Sequence, residues 1–312
     1  MDGRLQVFAG NGSRKLAEDI MGVLQAPLGR AMVGQWRDGE TRIKLEENVR
    51  GSDVFVIQSM SAPVNHHIME LLLMIDAIRR ASAARVTAVI PYFAYAKQEK
   101  KTSGREPISA SLLANLLGTT GVNRILTLDL HSPAIEGFFD IPVDHLRATP
   151  LLASEFRDMG LDDLVAVSPD AGGVARAEEF RLRAGASLAI ASKKRPGPDE
   201  AEVLEVVGDV EGKTAVIVED MISTGDTLVK CAEKLTERGA SKIFACAVHP
   251  VFANGAMDII ERSPIEKVWV TDTLPLHAAP GNERVKVLTV APLLAEAIMR
   301  IHKDLSISAL FL

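Results

Sequence analysis

VIVEDMISTGDTL, residues Val216 to Leu228, joins an apolar strand, two acids and a run of small polar residues that opens a helix. Val216, Ile217 and Val218 read as a buried parallel strand, because a strand covered on both faces carries a continuous apolar run rather than an alternating one. Ser223, Thr224, Gly225 and Thr227 follow where the next helix begins, and there backbone N–H groups and hydroxyls can converge on a phosphate. Glu219 and Asp220 face the same place from the strand end. Two acids beside an anion repel it unless they bind sugar hydroxyls or a Mg²⁺ that bridges to it. The run therefore reads as a cradle for a phosphorylated sugar. A plain strand-to-helix turn also ends in small polar residues, and the acid pair is what separates the two readings.

Around this run, apolar strands and amphipathic helices alternate through most of the chain. Candidate strands lie at 5–8, 54–57, 86–90, 125–128, 164–167, 188–191, 215–218, 243–247 and 268–270, with helices at 64–81, from about 151, and at 292–303. Such alternation predicts an α/β protein with mainly parallel sheets flanked by helices and ligands at the carboxyl ends of the strands. A length of 312 residues exceeds one ordinary core and predicts two domains. The seam is placed at 148/149, giving domains 1–148 and 149–312. The tail, ending in SISALFL, reads as a helix and an extended end too apolar to hang in water, so it is expected to pack on the other domain or on a neighbouring subunit.

Composition excludes several classes. An apolar share of 47%, 24% charged residues and a net charge of −6 describe a globular chain and argue against a general nucleic-acid binder. No apolar run reaches membrane-span length, and MDGRLQVFAG enters a strand pattern at once without the apolar stretch expected of a signal peptide. Cys231 and Cys246 are too few for a disulfide framework or zinc knuckle, so the expectation is a reducing, cytoplasmic setting.

Four further segments carry candidate chemistry. Lys97, Lys100, Lys101 and Arg105 make the loop after 86–90 a phosphate binder or a solvated basic surface. Asp129 and His131 follow the strand 125–128, and Asp170 ends the strand 164–167 ahead of Gly172, Gly173 and Arg176. His131 and Asp170 together could hold a Mg²⁺ carrying a nucleotide phosphate, although a lone histidine is more often structural. Lys193 and Arg195, two apart at a strand end, could stabilise a transferring phosphoryl group as part of a catalytic flap, or simply be a basic strand end. Trp36 could stack on an adenine face with Asp38 and Glu40 reading its amine or the ribose, or be ordinary core.

Taken in order, RDGETRIKLEENVRGSDVFVIQS, MELLLMIDAIRRASAARVTAVIPYFAYAKQ, REPISASLLANLL, DLHSPAIEGFFDIPVDHL, VSPDAGGVARA, SKKRP, VIVEDMISTGDTL and VAPLLAEAI resemble the ribose-phosphate diphosphokinase (PRPP synthetase) family over nearly the whole chain. The resemblance implies two tandem type I phosphoribosyltransferase-like domains and transfer of the diphosphoryl group of Mg²⁺-ATP to the 1-hydroxyl of ribose 5-phosphate, giving PRPP and AMP. By the same carry-over, Trp36, Asp38, Glu40, Lys97 and Gln98 would bind ATP and His131 with Asp170 the metal. Lys193 and Arg195 would be catalytic, and Glu219, Asp220, Ser223, Thr224, Gly225 and Thr227 would hold ribose 5-phosphate. A regulatory ADP or phosphate site would use Arg50, Ser306 and Ser308, and the assembly would be a homo-oligomer such as a hexamer of dimers.

The chain departs from the family's usual residues at several of these positions. Trp36 stands for Phe, Lys97 for Arg, Glu99 and Glu219 for Asp, Ser223 for Asp, and Asp226 for Gly. Lys97 lacks a planar fork that can stack on a base. Asp226 opposes the 5-phosphate unless it turns outward or caps the helix. These changes leave open a non-catalytic regulatory paralogue in mixed oligomers, and a phosphoribosyltransferase that consumes PRPP; the N-terminal half argues against the latter.

Overall fold

The computed structural model describes residues 3–194, 203–253, 255–276 and 283–310. It divides into two compact units. The first runs to Arg147 and takes in Thr273–Pro275 and the chain from Thr289 onward; the second is Ala148–Asp272 with Leu276–Leu288. The division falls between Arg147 and Ala148, and the C-terminal segment counts with the first unit.

The first unit contains β1 (Leu5–Ala9), α1 (Arg14–Leu24), β2 (Ala31–Gln35), β3 (Thr41–Leu45), β4 (Asp53–Ile57), α2 (Val64–Arg80), β5 (Arg85–Ile90), α3 (Ser109–Thr119), β6 (Arg124–Leu128) and β7 (Val143–Leu146). Five strands form a wholly parallel sheet in the order β1-β4-β5-β6-β7. Phe8, Val54, Val56, Ala88 and Ile90 alternate onto one face and pack against Ile68, Leu71, Ile75 and Ile78 of α2, whose spacing of three and four keeps one helical stripe on the sheet. The outer side of α2 is open in the single chain, with Met69 50% and Leu73 36% exposed. The antiparallel pair β2–β3 forms a separate ribbon whose Val33, Ile43 and Leu45 rest on the same core.

The last helix, α8 (Ala291–His302), packs with α1, and its end is stapled to the sheet. Asp53, fully buried at the start of β4, accepts two hydrogen bonds from Arg85, at 2.8 and 2.6 Å, and lies 2.8 Å from His302 Nδ1. The same guanidinium donates to the Ile301 carbonyl at 2.8 Å and to Asp304 at 2.9 Å. Past the helix, Ser308–Leu310 forms a 3-10 turn where the sequence suggests an extended end. Without a strand partner, the chain end satisfies its backbone locally, the Leu310 N–H donating to the Ile307 carbonyl at 2.8 Å.

The second unit contains α4 (Thr149–Asp158), β8 (Leu164–Ser168), α5 (Val174–Ala184), β9 (Ser187–Lys194), β10 (Val203–Val207), β11 (Thr214–Ile222), α6 (Asp226–Glu237), β12 (Lys242–Pro250), α7 (Ala256–Glu261), β13 (Lys267–Thr271) and β14 (Val285–Leu288). Its sheet runs β10-β9-β8-β11-β12-β13-β14, parallel except for β10. One face is filled by Phe156, Phe180, Phe244 and Trp269, with Phe156 and Trp269 ring centroids 4.5 Å apart. β7, β10 and β14 are absent from the sequence reading because they are short edge or near-edge strands without a long apolar run.

Cys231 and Cys246 are buried, and burial pushes the Cys231 thiol up to about 12 and Cys246 higher still, with the Glu219 charge adding to both. Both thiols are expected to stay unreactive toward a disulfide reagent at pH 8 in the native protein and to titrate fully only in denaturant. Rapid labelling of either before unfolding would contradict this packing.

Candidate functional site

In the second unit the carboxyl ends of β8, β9 and β11 gather the candidate residues. The sequence places Glu219 and Asp220 after a strand ending at Val218; in the structure β11 continues to Ile222, so both acids lie within it, alongside β12. Met221 and Ile222 are apolar and buried, and the parallel pairing with β12 carries on through them. The acids occupy different surroundings. Asp220 is 3% exposed with its Oδ1 3.8 Å from Arg176 Nη1, whereas Glu219 is half-buried and its charge is felt by both cysteines. Arg176 Nε is buried with no hydrogen-bond partner among the described residues.

The loop Ser223 to Gly225 leads into α6, with Gly225 at the N-cap in the left-handed region (φ +86°). A Cβ there would be strained and would approach Ile259, which accounts for glycine at this position. Ser223 is half-buried, and Thr224 and Thr227 are exposed. Asp226 is the first residue of α6 and exposed. Its carboxylate complements the positive end of the helix, which is the same end an anion would use.

Asp170 follows β8 in a tight turn. Its Oδ1 accepts from the Gly173 N–H at 2.9 Å, and the Ser168 hydroxyl donates to the Asp170 carbonyl at 2.7 Å. A Cβ on Gly173 would lie 2.8 Å from that hydroxyl. β9 is paired to β8 only as far as Ile190, so its remaining residues run beyond the end of β8; there Lys193 pairs with Leu204 of β10. Arg195 lies outside the described residues.

In the first unit the corresponding strand ends hold the other candidates. Tyr95 (φ +60°) after β5 and Asp129 (φ +36°) after β6 both sit in the left-handed region, a local strain characteristic of functional loops. Lys97 and Gln98 are exposed on a 3-10 turn, and Gln98 Oε1 accepts from the Ser109 hydroxyl at 2.6 Å. His131 is half-buried and near Glu99. Burial works to raise the Glu99 carboxyl, yet its own backbone N–H, Lys100 and His131 hold it below its ordinary value. Beyond them, Glu106 accepts the N–H and hydroxyl groups of Thr102 and Ser103, which depress its carboxyl to about 2 and order the basic loop.

Trp36, Asp38 and Glu40 are all exposed on the β2–β3 turn. The Arg42 guanidinium lies 4.1 Å from the Trp36 ring centroid and covers one face. Trp36 is therefore a surface platform rather than core, with 50% exposure. Arg42 went unnoticed in the sequence because a strand cation opposite a turn carries no motif.

Ser306 and Ser308 line a cleft of about 580 Å³ in the first unit, with Arg124, Asp144, His145 and Arg147; Arg50 is not among its walls. The cleft's charges are partly paired already. Arg124 meets Asp144 at 2.7 Å. The Leu130 N–H donates to His145 Nε2 at 2.8 Å, so the ring proton sits on Nδ1 and faces Glu136 at 2.6 Å. Burial lowers the His145 pKa against the opposing pull of Glu136, and the imidazole is neutral near pH 7.

Among the described residues no group of three metal-ligating side chains exists. Mg²⁺ does not require one, since it keeps several waters and takes one or two carboxylates plus substrate phosphates. Asp170, an exposed carboxylate oriented by Gly173, fits that donor chemistry; His131 is the softer member of the expected pair and belongs to the other unit. No helix of the described residues is long and apolar enough to cross a membrane.

Comparison with known proteins adds the following. Residues 5–121 match the profile of the N-terminal domain of ribose phosphate pyrophosphokinase, and residues 177–312 that of the phosphoribosyl synthetase-associated domain. A curated ribose-phosphate pyrophosphokinase of Listeria ivanovii is 50% identical over 311 residues, covering 99% of this chain and 98% of the relative. One from Oceanobacillus iheyensis is 47% identical over 310 residues, covering 99% and 98%. The crystal structure of phosphoribosylpyrophosphate synthetase from Mycobacterium smegmatis superposes with a TM-score of 0.91 at 40% identity, covering 96% of this chain and 99% of that one.

Proposed function

Since the chain belongs to the ribose-phosphate pyrophosphokinase family, we infer that it transfers the β,γ-diphosphoryl group of ATP to the 1-hydroxyl of ribose 5-phosphate, giving PRPP and AMP. The observation that carries this is the full-length kinship, and the small polar residues that lead into α6 through Gly225 support it. Nothing favours the non-catalytic alternative.

The division of labour follows from the chemistry of each group. Ser223, Thr224, Gly225 and Thr227 hold the 5-phosphate at the helix start, and Glu219 and Asp220 orient the ribose hydroxyls, with Arg176 bracing Asp220. Trp36 supplies a stacking face for adenine, Asp38 and Glu40 read its polar edge or the ribose, and Lys97 and Gln98 complete the nucleotide contacts. Lys193 and Arg195 neutralise charge on the transferring group. Asp170 and His131 would hold Mg²⁺, which would supply charge neutralisation for the donor's phosphates. The protein's share of the acceleration is then positioning and electrostatics.

The exposed apolar side chains Met69 and Leu73 of α2 and Leu112 and Leu116 of α3 support assembly into a homo-oligomer. In such an assembly Arg50 of another copy could join Ser306 and Ser308 in binding ADP or phosphate as effectors. A cytoplasmic setting suits two buried free thiols.

Incubating the purified protein with ribose 5-phosphate, ATP and Mg²⁺ is expected to yield AMP and PRPP in equal amounts, followed by phosphorus NMR. A folded protein that forms neither across a range of phosphate concentrations would make the regulatory paralogue the better account. Asp226→Asn is expected to lower KM for ribose 5-phosphate about threefold by removing an anion beside the phosphate. A higher KM would mean that Asp226 serves the loop rather than opposing its ligand.

A further inference from the structure

Glu70 is an acid in the middle of an apolar helix, MELLLM, and it is fully buried. A buried carboxylate is costly unless charge-assisted hydrogen bonds surround it. Here it accepts from the Asn11 N–H at 2.6 Å, the Asn11 side-chain amide at 2.7 Å and the Gln58 amide at 2.6 Å, with His66 Nε2 at 3.6 Å. Gln58 in turn accepts from the Gly12 N–H at 2.9 Å. None of these residues belongs to the substrate contacts named above.

Two bonds lead from this network to the β2–β3 ribbon. The Asn11 amide that donates to Glu70 also lies 3.4 Å from the Val33 carbonyl, and Gln35 Nε2 lies 3.1 Å from His66 Nδ1. Val33 and Gln35 are in β2, immediately before Trp36. We propose that Glu70, acting through Asn11 and His66, is a positioning residue that sets the Trp36 platform for the nucleotide base. This rests on the reading of the ribbon as the nucleotide side.

The mechanism is the fixed orientation of one amide. Asn11 must present its NH₂ to Glu70, and the same NH₂ then faces the Val33 carbonyl. In Glu70→Gln an amide NH₂ replaces the oxygen that accepts from Asn11. The Asn11 amide would have to turn over, setting its own oxygen against the Val33 carbonyl and releasing β2.

The test uses the full-length protein. Glu70→Gln and Asn11→Ala are each expected to raise KM for ATP about tenfold, the loss of roughly one charge-assisted hydrogen bond's effect, with KM for ribose 5-phosphate within about twofold. The double variant should be no worse than Glu70→Gln alone, because both changes cut one link. Acrylamide quenching reports Trp36 directly, since the other tryptophan, Trp269, is 2% exposed, and the ring should show faster anisotropy decay in both variants. An ATP KM within about twofold of the parent in both single variants, where Trp36→Ala raises it, overturns the proposal. Should Glu70→Gln fail to fold, Asn11→Ala decides, because Asn11 is exposed. If Trp36→Ala leaves the ATP KM unchanged, the nucleotide reading of the ribbon is what has failed, and Trp36 anisotropy in Asn11→Ala alone then judges the clamp: faster decay upholds it, unchanged decay rejects it.

Discussion

Lys193→Ala is expected to lower kcat about 10²-fold or more while KM for ribose 5-phosphate stays within about twofold, since a charge partner of the transferring group acts mainly in the transition state. The backbone supports this role. Past Ile190, β9 has no parallel partner in β8 and pairs with antiparallel β10, so the Lys193 backbone lies past the carboxyl end of β8, and ligands of parallel sheets gather at such strand ends. Lys193→Arg keeps a cation and should recover part of the rate, although its planar fork places charge differently from an ammonium. Single-turnover measurements with saturating ATP would separate the chemical step from product release. A rate within a few-fold of the parent would remove Lys193 from the transfer step.

Arg85→Ala is expected to lower the unfolding free energy by about 3 kcal/mol, the low end for breaking a buried ion pair because the Arg85 side chain keeps 16% exposure. The loss comes from Asp53, which is buried completely and would keep His302 as its close partner among the described residues. The Asp53 and Asp304 carboxylates hold the guanidinium protonated well above its ordinary value, Asp53 contributing most against the burial that opposes it. Arg85→Lys should recover less than half, because one ammonium cannot reproduce two parallel bonds to Asp53 together with those to Ile301 and Asp304. Urea unfolding followed by far-UV circular dichroism reads the difference. A loss below about 1 kcal/mol would place this pair with exposed ion pairs rather than with a buried staple.

How much of this was legible beforehand depends on the range of the interactions involved. Strands such as 54–57, 86–90 and 125–128 announce themselves because burial on both faces demands an unbroken apolar run. Gly225 is legible because only glycine takes its left-handed conformation without strain. The edge strands β10 and β14 were not legible, since their pairing comes from neighbours distant in sequence. The extension of β11 through the acids was missed for the same reason, because β12 continues beside it.

By itself, then, the amino-acid sequence determined the α/β class and the strand-to-helix turn that follows Val216–Val218, both of which follow from local periodicity. Only the tertiary structure decided that Asp220 is braced by Arg176 while Glu219 is not buried with it, that Arg42 covers one face of Trp36, and that Ser306 and Ser308 share a cleft with Arg124 and Arg147. It also decided that Glu70 gathers Asn11 and Gln58 from 59 and 12 residues away. The physical reason is that hydrogen bonds and ion pairs act over a few ångströms in space, whatever the separation along the chain, and a buried charge is tolerated only where folding brings its partners to it.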